Sequence, residues 1–321
     1  MFVSIVIATR NRAALLGQTL DALARQRWPA DRLEIVVADN GSTDDTPAIV
    51  DRASGGSMCI RYLYVPGPGK SRAVNAAVAI ARGDLLAFTD DDVLPEPGWI
   101  EALARAVEES GADFVAGRIL PIWEAPPPRW MSPALYGVLA IPDNGDVRLE
   151  ISAATQSAAM PIGANMAVRA ATIRRLGGLR TDLGKLSGSL RTGEDHEFFL
   201  RLLHNQRRGV YEPTALVRHL VPAYRLERSY FRRWLHQNGR DVARLERAYP
   251  APTPFLLRVP RYLWRRLAAN LLTTAAAALR GDEPRRFACS LRVLWFAGYL
   301  RGAWFDTSPQ APLPLVAAEG R

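Results

Sequence analysis

Three carboxylates in a row, Asp90-Asp91-Asp92, follow the apolar run Leu85-Leu86-Ala87-Phe88-Thr89. A buried strand would deliver them to the carboxyl edge of a parallel sheet, where such sheets bind ligands. Alternation along a strand points Asp90 and Asp92 one way and Asp91 the other. Two carboxylates on one side are hard oxygen ligands, suited to Mg²⁺ or Mn²⁺. Such a cation would neutralise a diphosphate and help it leave. Without a cation, gathering these charges would be costly. The plainer alternative is a solvated turn ahead of a helix at Gly98. A second acidic pair, Glu194-Asp195, opens a helical stretch whose apolar stripe is Phe198, Phe199, Leu202 and Leu203. Taken alone, Thr192 to Asp195 fits a capping box, and acids suit a helix N-terminus.

Alternating strand and helix patterns place these groups. Phe2–Ala8 is a continuous apolar run, as expected of a buried parallel strand. Strands are expected again at 33–38, 60–65, 85–89 and 113–117, with helices at 13–25, 46–53, 71–81 and 98–110. Such alternation predicts βαβ crossovers and a mostly parallel sheet. The pattern breaks over 119–160, which carries Pro126–Pro128, Trp123, Trp130 and Tyr136 and reads as a long surface excursion. Order returns at 161–168, followed by a helix from Ala170, one at 194–207 and a strand at 215–221. The stretches 226–248, 255–280 and 291–305 read as helical or apolar, the first two rich in Arg.

Composition is that of a globular chain: 321 residues, 48% hydrophobic and 23% charged. Charge is uneven. Residues 1–200 hold 20 basic and 24 acidic residues, a net −4. Residues 201–321 hold 21 basic and 8 acidic, a net +13. That excess points to an anionic partner, membrane or nucleic acid, or to a solvated Arg-rich surface. Cys59 and Cys289 alone make no disulfide framework and no cysteine metal cluster. The N-terminus shows no charged segment or cleavage site, so no signal peptide is expected. No run of about 18 uncharged apolar residues predicts a spanning helix. Gly69-Lys70-Ser71 imitates the end of a P-loop, but Tyr64 stands where its first Gly belongs.

The segments together resemble family 2 glycosyltransferases of the GT-A fold, over about residues 2–240. Asp90-Asp91-Asp92 resembles the DxD motif of that family. Val3–Arg12 is similar to its opening strand and T-x-N-R turn, and Ile35–Thr46 to its second strand and D-x-G-S-x-D-x-T loop. Gly69–Asn75 is similar to its G-x-x-x-A-x-N helix start, Gly163-Ala164-Asn165 to its G-x-N segment, and Glu194-Asp195 to its E-D motif.

The resemblance implies a single α/β GT-A catalytic domain over 1–224, with a basic, aromatic-rich helical extension over 225–321. It implies an inverting, metal-dependent transfer of sugar from a nucleotide-sugar, with UDP as the expected nucleotide, to a hydroxyl of a glycan or lipid-linked acceptor. Asp195, with Glu194 beside it, would be the catalytic base, because a hydroxyl is a poor nucleophile until its proton is removed. Asp90 and Asp92 would hold Mn²⁺ or Mg²⁺, with His219 as a further ligand or a structural His. Asp39 would accept a hydrogen bond from uracil, and Thr9 and Arg10 would border base and ribose. Asn11, Asn40 and Ser42 complete the nucleoside loops, with Asp90 and Asp91 on the donor side. Arg72 and Asn75 would lie near the diphosphate, and Asn165 would border donor sugar and acceptor. Thr43 or Asp44 would cap the helix that follows. Tyr230 replaces the Gln of the processive Q-x-x-R-W motif, which argues against a polymer synthase and leaves Arg232, Arg233 and Trp234 on the diphosphate or membrane side.

Residues of about 225–305 are expected to dock on an anionic membrane surface without crossing it, at the cytoplasmic face. Arg225, Arg228, Arg232, Arg233, Arg261, Arg265 and Arg266 supply charge. Trp234, Tyr262, Trp264, Trp295, Phe296, Tyr299, Trp304 and Phe305 supply interfacial aromatics. The competing expectation packs these helices on the catalytic domain or into a homodimer. Two other functions compete. A nucleotidyltransferase would usually carry a Gly in the loop after the first strand, and Ala8–Arg12 has none. A nucleic-acid-binding protein would use the basic region but leaves both acidic motifs unexplained, so no nucleic acid partner is expected.

Overall fold

The computed structural model describes residues 1–56, 58–67, 69–155, 159–184, 190, 192–249 and 253–306. In chain order the first half holds β1 (Val3–Thr9), α1 (Ala13–Leu23), β2 (Leu33–Asp39), α2 (Thr46–Ser54), β3 (Ile60–Tyr64), α3 (Lys70–Ile80), β4 (Leu85–Asp90), β5 (Val93–Pro95), α4 (Trp99–Ser110) and β6 (Phe114–Trp123). The second half holds β7 (Leu149–Ile151), β8 (Met166–Arg169), α5 (Ala170–Leu176), α6 (Glu194–His204) and β9 (Gly209–Val221). Then come α7 (Arg228–Ala248), β10 (Phe255–Leu256), β11 (Val259–Pro260), α8 (Arg261–Leu279) and α9 (Glu283–Phe305).

One sheet runs β3-β2-β1-β4-β8-β6-β9-β5, with β7 also on β9. The α/β class read from the sequence therefore holds. Strands β3, β2, β1 and β4 are parallel, as the alternation predicts. The other half is mixed: β8 is antiparallel to both β4 and β6, and β5 to β9. β5 follows β4 by one turn in the chain yet pairs with β9 at the far end of the order. The sheet curls to allow this, with a register break at Gly117/Arg118. The expected excursion begins later than its sequence suggested, because β6 and β9 pair as far as Trp123 and Val221.

Helices bury both faces of the sheet. Val3, Ile5 and Ile7 face a core with Leu16, Leu20, Trp99 and Leu103, and Val6 faces one with Val74, Phe88, Phe198 and Leu202. α4 shows the logic. Its Trp99, Leu103 and Val107 are fully buried, and Gly111, at φ 65°, ends it in the left-handed conformation that glycine adopts without strain.

The basic C-terminal stretch is helical, as expected, except that 255–260, read as the start of a helix, forms the β10–β11 hairpin because Leu257 and Arg258 adopt positive φ; α7, α8 and α9 pack on one another. A Cβ on Gly298 would stand 2.0 Å from the His236 carbonyl oxygen, and one on Gly239 2.1 Å from that of Trp295. Glycine is what lets α7 and α9 approach backbone to backbone. This packing buries two of the eight expected interfacial aromatics and half-buries three, while Tyr262, Trp304 and Phe305 stay exposed. Phe296 and Tyr299 are buried, Trp264 packs edge-on to Phe296, and Trp295 donates to Asn238. Arg228 and Arg232 lay their guanidiniums over the Phe287 ring, Arg232 while remaining exposed. Among the described residues no helix is long and apolar enough to cross a membrane. Residues 307–321 of the expected extension lie outside the described residues.

Candidate active site

β1, β2 and β4 end in line, with Thr9 opposite Asp39 and Ala8 opposite Asp90. Asp90 is the last residue of β4, and Asp91 and Asp92 form the turn into β5. Strand alternation therefore stops at Asp90 and does not set the directions of Asp91 and Asp92. Instead Asp91 and Asp92 converge on one guanidinium. Arg12 Nη1 donates to Asp91 Oδ1 at 2.8 Å and to Asp92 Oδ2 at 2.9 Å. Thr9 Oγ1 donates to Asp91 Oδ2 at 2.8 Å. The β5–β9 register sets His219 opposite Val93, which brings its Nε2 to 3.3 Å from Asp92 Oδ1. Arg225 Nη2 lies 3.9 Å from Asp92 Oδ2.

Both carboxylates are buried, and burial alone raises a carboxyl pKa. At Asp92 the His219 hydrogen bond and the charges of His219, Arg12 and Arg225 outweigh burial and hold it well below the usual range. At Asp91 burial prevails over Arg12, and its pKa is raised.

Asp90 faces another way. It pairs with the Lys70 ammonium from the first turn of α3. Burial opposes the charge on Lys70, but Asp90, Asp195 and Glu194 outweigh it and hold the ammonium above its usual range. These four residues line one cavity of about 190 Å³. Asp195 sits in the first turn of α6, and Gly163 N–H donates to its Oδ2 at 3.0 Å. α6 is fixed from beneath by Arg201, which pairs with Glu197 at 2.8 Å and donates to the carbonyls of Leu176, Gly177 and Gly178. The capping-box alternative does not form. Gly193 is the N-cap, without a side-chain cap, and Thr192 bonds to Asp241 of α7.

The wall opposite comes from the C-terminal region. Trp234, Asn238 and Asp241 of α7, together with Arg225, line the same cavity. The boundary expected at 224/225 thus runs through the site's own wall.

The donor chemistry of Asp90, Asp92 and His219 suits a divalent cation, but the described residues do not gather three such ligands at one point. Protein cations already balance the acidic turn: Arg12 and Arg225 at Asp92, and Lys70 at Asp90. His219 Nδ1 is buried with no hydrogen-bond partner. A preformed metal centre does not fit this arrangement.

The expected nucleoside residues are placed close together but used differently. Asp39 is fully buried; Ser42 N–H donates to its Oδ1 at 2.7 Å and the Tyr62 hydroxyl to its Oδ2 at 2.6 Å. Each oxygen thus has one protein donor and keeps a further lone pair. Thr9 is buried against Asp91 rather than bordering a base. Asn11 and Ser42 lock their loops together: Asn11 N–H donates to Ser42 Oγ, and Asn11 Oδ1 accepts from Thr43 N–H. Asp44, rather than Thr43, accepts the N–H of Thr46. Asn40 ties down the loop before α3 by bonding Gly67 O and Gly69 N–H. Arg10 and Arg72 are exposed at this edge.

Two expectations are corrected outright. Asn75 is a clasp, bonding both N–H and carbonyl of Leu179 at 2.7 Å rather than reaching toward a diphosphate. Asn165 is buried, accepting from Trp99 Nε1 and donating to the carbonyls of Arg118 and Ala215. It joins α4, β6 and β9 and has no side-chain atom left for a sugar.

Sequence reasoning passed over Arg12, Lys70, Asn238 and Asp241. A signal existed for the first two: a cation one turn from each acidic motif's neighbours, in a site rich in carboxylates. None existed for the α7 residues, which only the helix packing brings to the cavity.

The sequence model of glycosyl transferase family 2 matches residues 4–175. The pre-mycofactocin glycosyltransferase of Mycobacterium tuberculosis is 30% identical over 218 residues, 68% of this chain and 42% of that protein. The validoxylamine A glucosyltransferase of Streptomyces hygroscopicus subsp. jinggangensis is 40% identical over 105 residues, 32% of this chain and 25% of that protein. The chain thus spans less than half the length of these curated relatives. A mannosyltransferase from Pyrobaculum calidifontis, solved with GDP-Man and Mn²⁺, superposes with a TM-score of 0.66 at 21% identity, covering 94% of this chain and 87% of that one. TarS residues 1–349 of S. aureus, solved with UDP-GlcNAc, gives 0.57 at 15% identity, covering 95% and 93%. At these identities the likeness is one of fold.

Proposed function

The chain belongs to glycosyl transferase family 2, and we propose that it moves a sugar from a nucleoside-diphosphate sugar to an acceptor hydroxyl with inversion, using Asp195 as base. One observation carries this reading: Asp195 stands on the wall of a cavity, held by Gly163 N–H, with Asp90 and Lys70 in the same cavity. The incoming hydroxyl loses its proton to Asp195 as its oxygen bonds the anomeric carbon. The bond from that carbon to the diphosphate oxygen breaks, and the electron pair leaves with the nucleotide. The N-terminus of α6 favours the anionic form of Asp195, as a base requires. Lys70 and Arg225 are the cations in the cavity that could face the leaving diphosphate. Relatives solved with GDP-Man and with UDP-GlcNAc support a nucleotide-sugar donor, and we favour UDP on the likeness of the Asp39–Thr46 loop. A glycan or lipid-linked hydroxyl is the proposed acceptor.

A screen of UDP-, GDP- and dTDP-sugars for thermal stabilisation and slow hydrolysis tests the donor class. UDP-sugars should stabilise the protein most. Stabilisation by none of the three classes would remove the donor reading.

A divalent cation, when bound, would supply charge neutralisation at the diphosphate, and at Asp90 it would have to displace the Lys70 ion pair. We propose that Lys70 and such a cation compete for Asp90. Replacing Lys70 by Met removes a like charge from the cation's neighbourhood. Mn²⁺ binding, titrated by electron paramagnetic resonance, should then tighten roughly tenfold, the effect of about 1.4 kcal/mol. Unchanged or weaker binding would separate Lys70 from any cation site.

A further inference from the structure

The largest concentration of exposed apolar side chains outside the cavity is at the β10–β11 hairpin. Phe255, Leu256 and Leu257 are 45%, 50% and 65% exposed. Leu257 and Arg258 form the two-residue turn, at φ 53° and 63°. Both central residues at positive φ is the conformation of hairpin turns that favour Asn-Gly or Gly-Gly, not Leu and Arg. The chain therefore accepts backbone strain to hold a leucine outward at the tip.

The hairpin is braced rather than loose. Trp264 Nε1 donates to Leu256 O at 3.2 Å, and Trp304 Nε1 to Leu257 O at 2.9 Å. Trp304 and its neighbour Phe305, 40% and 78% exposed, extend the apolar patch. At the root, Val259 is buried with Ala243 of α7 and Tyr299 of α9. The patch is thus joined to the helix that carries Trp234 and Asn238 into the candidate active site. Beside it stand the exposed Arg258 of the turn and Arg261, the first residue of α8. The carboxylate in the hairpin's own cavity of about 420 Å³, Glu246, accepts from the Tyr299 hydroxyl.

We propose that this hairpin tip, with Trp304 and Phe305, inserts shallowly into the interface of an anionic lipid bilayer. Apolar side chains at the end of a braced turn enter the acyl boundary, indoles settle at headgroup depth, and arginines meet lipid phosphates. Charge complementarity selects a lipid surface over a second copy of this chain. Residues 201–321 carry a net +13, so two copies meeting through this region would repel. The expectation of docking spread over 225–305 narrows to the hairpin and the end of α9, because Trp264, Trp295, Phe296 and Tyr299 are spent on packing between the helices.

Flotation of the full chain on vesicles tests this without any sugar donor. With 30% phosphatidylglycerol the protein should float at low salt, and with phosphatidylcholine alone it should not. Its tryptophan fluorescence should be quenched by shallow brominated lipids. Leu257→Asp should lower the bound fraction at least tenfold. Leu257→Asn separates docking from folding: Asn suits positive φ, so thermal stability should rise while vesicle binding falls. A Leu257→Asp chain that floats like the parent overturns the proposal, as does equal binding to neutral vesicles. Binding that appears only after residues 307–321 are removed also overturns it, because the tail then covers the patch. A soluble dimer with no vesicle binding does the same.

Discussion

Asp195→Asn should leave nucleotide-sugar binding nearly intact and lower transfer by about 10²–10⁴-fold, the usual range for a lost general base. Asparagine keeps the shape and can still accept from Gly163 N–H, which holds the aspartate at 3.0 Å. It cannot take a proton from a hydroxyl. The fold should be indifferent, because α6 is anchored elsewhere, through Glu197, Arg201 and the carbonyls after α5. Isothermal titration with the donor and a transfer assay under saturating donor separate the two effects. Normal transfer would return Asp195 to a purely structural place at the helix start. Loss of donor binding would move it to the donor side.

The second large effect divides neighbours in one motif. Asp92→Ala should destabilise the fold by about 1–3 kcal/mol, because it strips a buried carboxylate from His219 and Arg225 and leaves Arg12 with Asp91 alone. Asp90→Asn should fold normally and lose transfer, because Asp90 is at the cavity wall and Lys70 retains Asp195 and Glu194 as anionic neighbours. Urea unfolding midpoints beside activity resolve the difference. Equal stability of the two variants would refute the structural role of Asp92. If a metal shares Asp90, EDTA should also silence the folded parent, and full turnover in EDTA would remove the metal from the mechanism.

Acid should act through the same carboxylate. The pKa of Asp92 is held below its unfolded value of about 3.9. Its contribution is complete above that value and is lost as pH falls through the lower, folded one. Asp92→Asn should therefore flatten the fall in stability below about pH 4, read from unfolding midpoints across pH.

What the sequence determined by itself is local. Apolar runs such as Val3–Ala8 and Leu85–Thr89 dictate buried strands, because only a sheet covered on both faces hides such runs. The first four strands, the helices between them and the placing of Asp39 and Asp90 at one edge follow from that alternation. Two acidic motifs at element ends were legible for the same reason, and the motif likeness identified their family before any geometry. Periodicity carries no information past the end of an element, so the orientation of Asp91 and Asp92 was decided by a turn and by Arg12. His219 reached Asp92 only through the β5–β9 pairing, about 125 residues apart in the chain, which a sheet must curl to make. Asn75 and Asn165 read as ligand residues because an amide serves a ligand or a backbone equally well. Their partners, Leu179 and Trp99, are set by packing alone. The cavity's second wall and the outward hairpin were likewise tertiary decisions. The burial of α7 against α9 placed Asn238 and Asp241 inward, hid Phe296 and Tyr299 among the aromatics that the sequence had offered to a membrane, and left Trp304, Phe305 and Leu257 exposed.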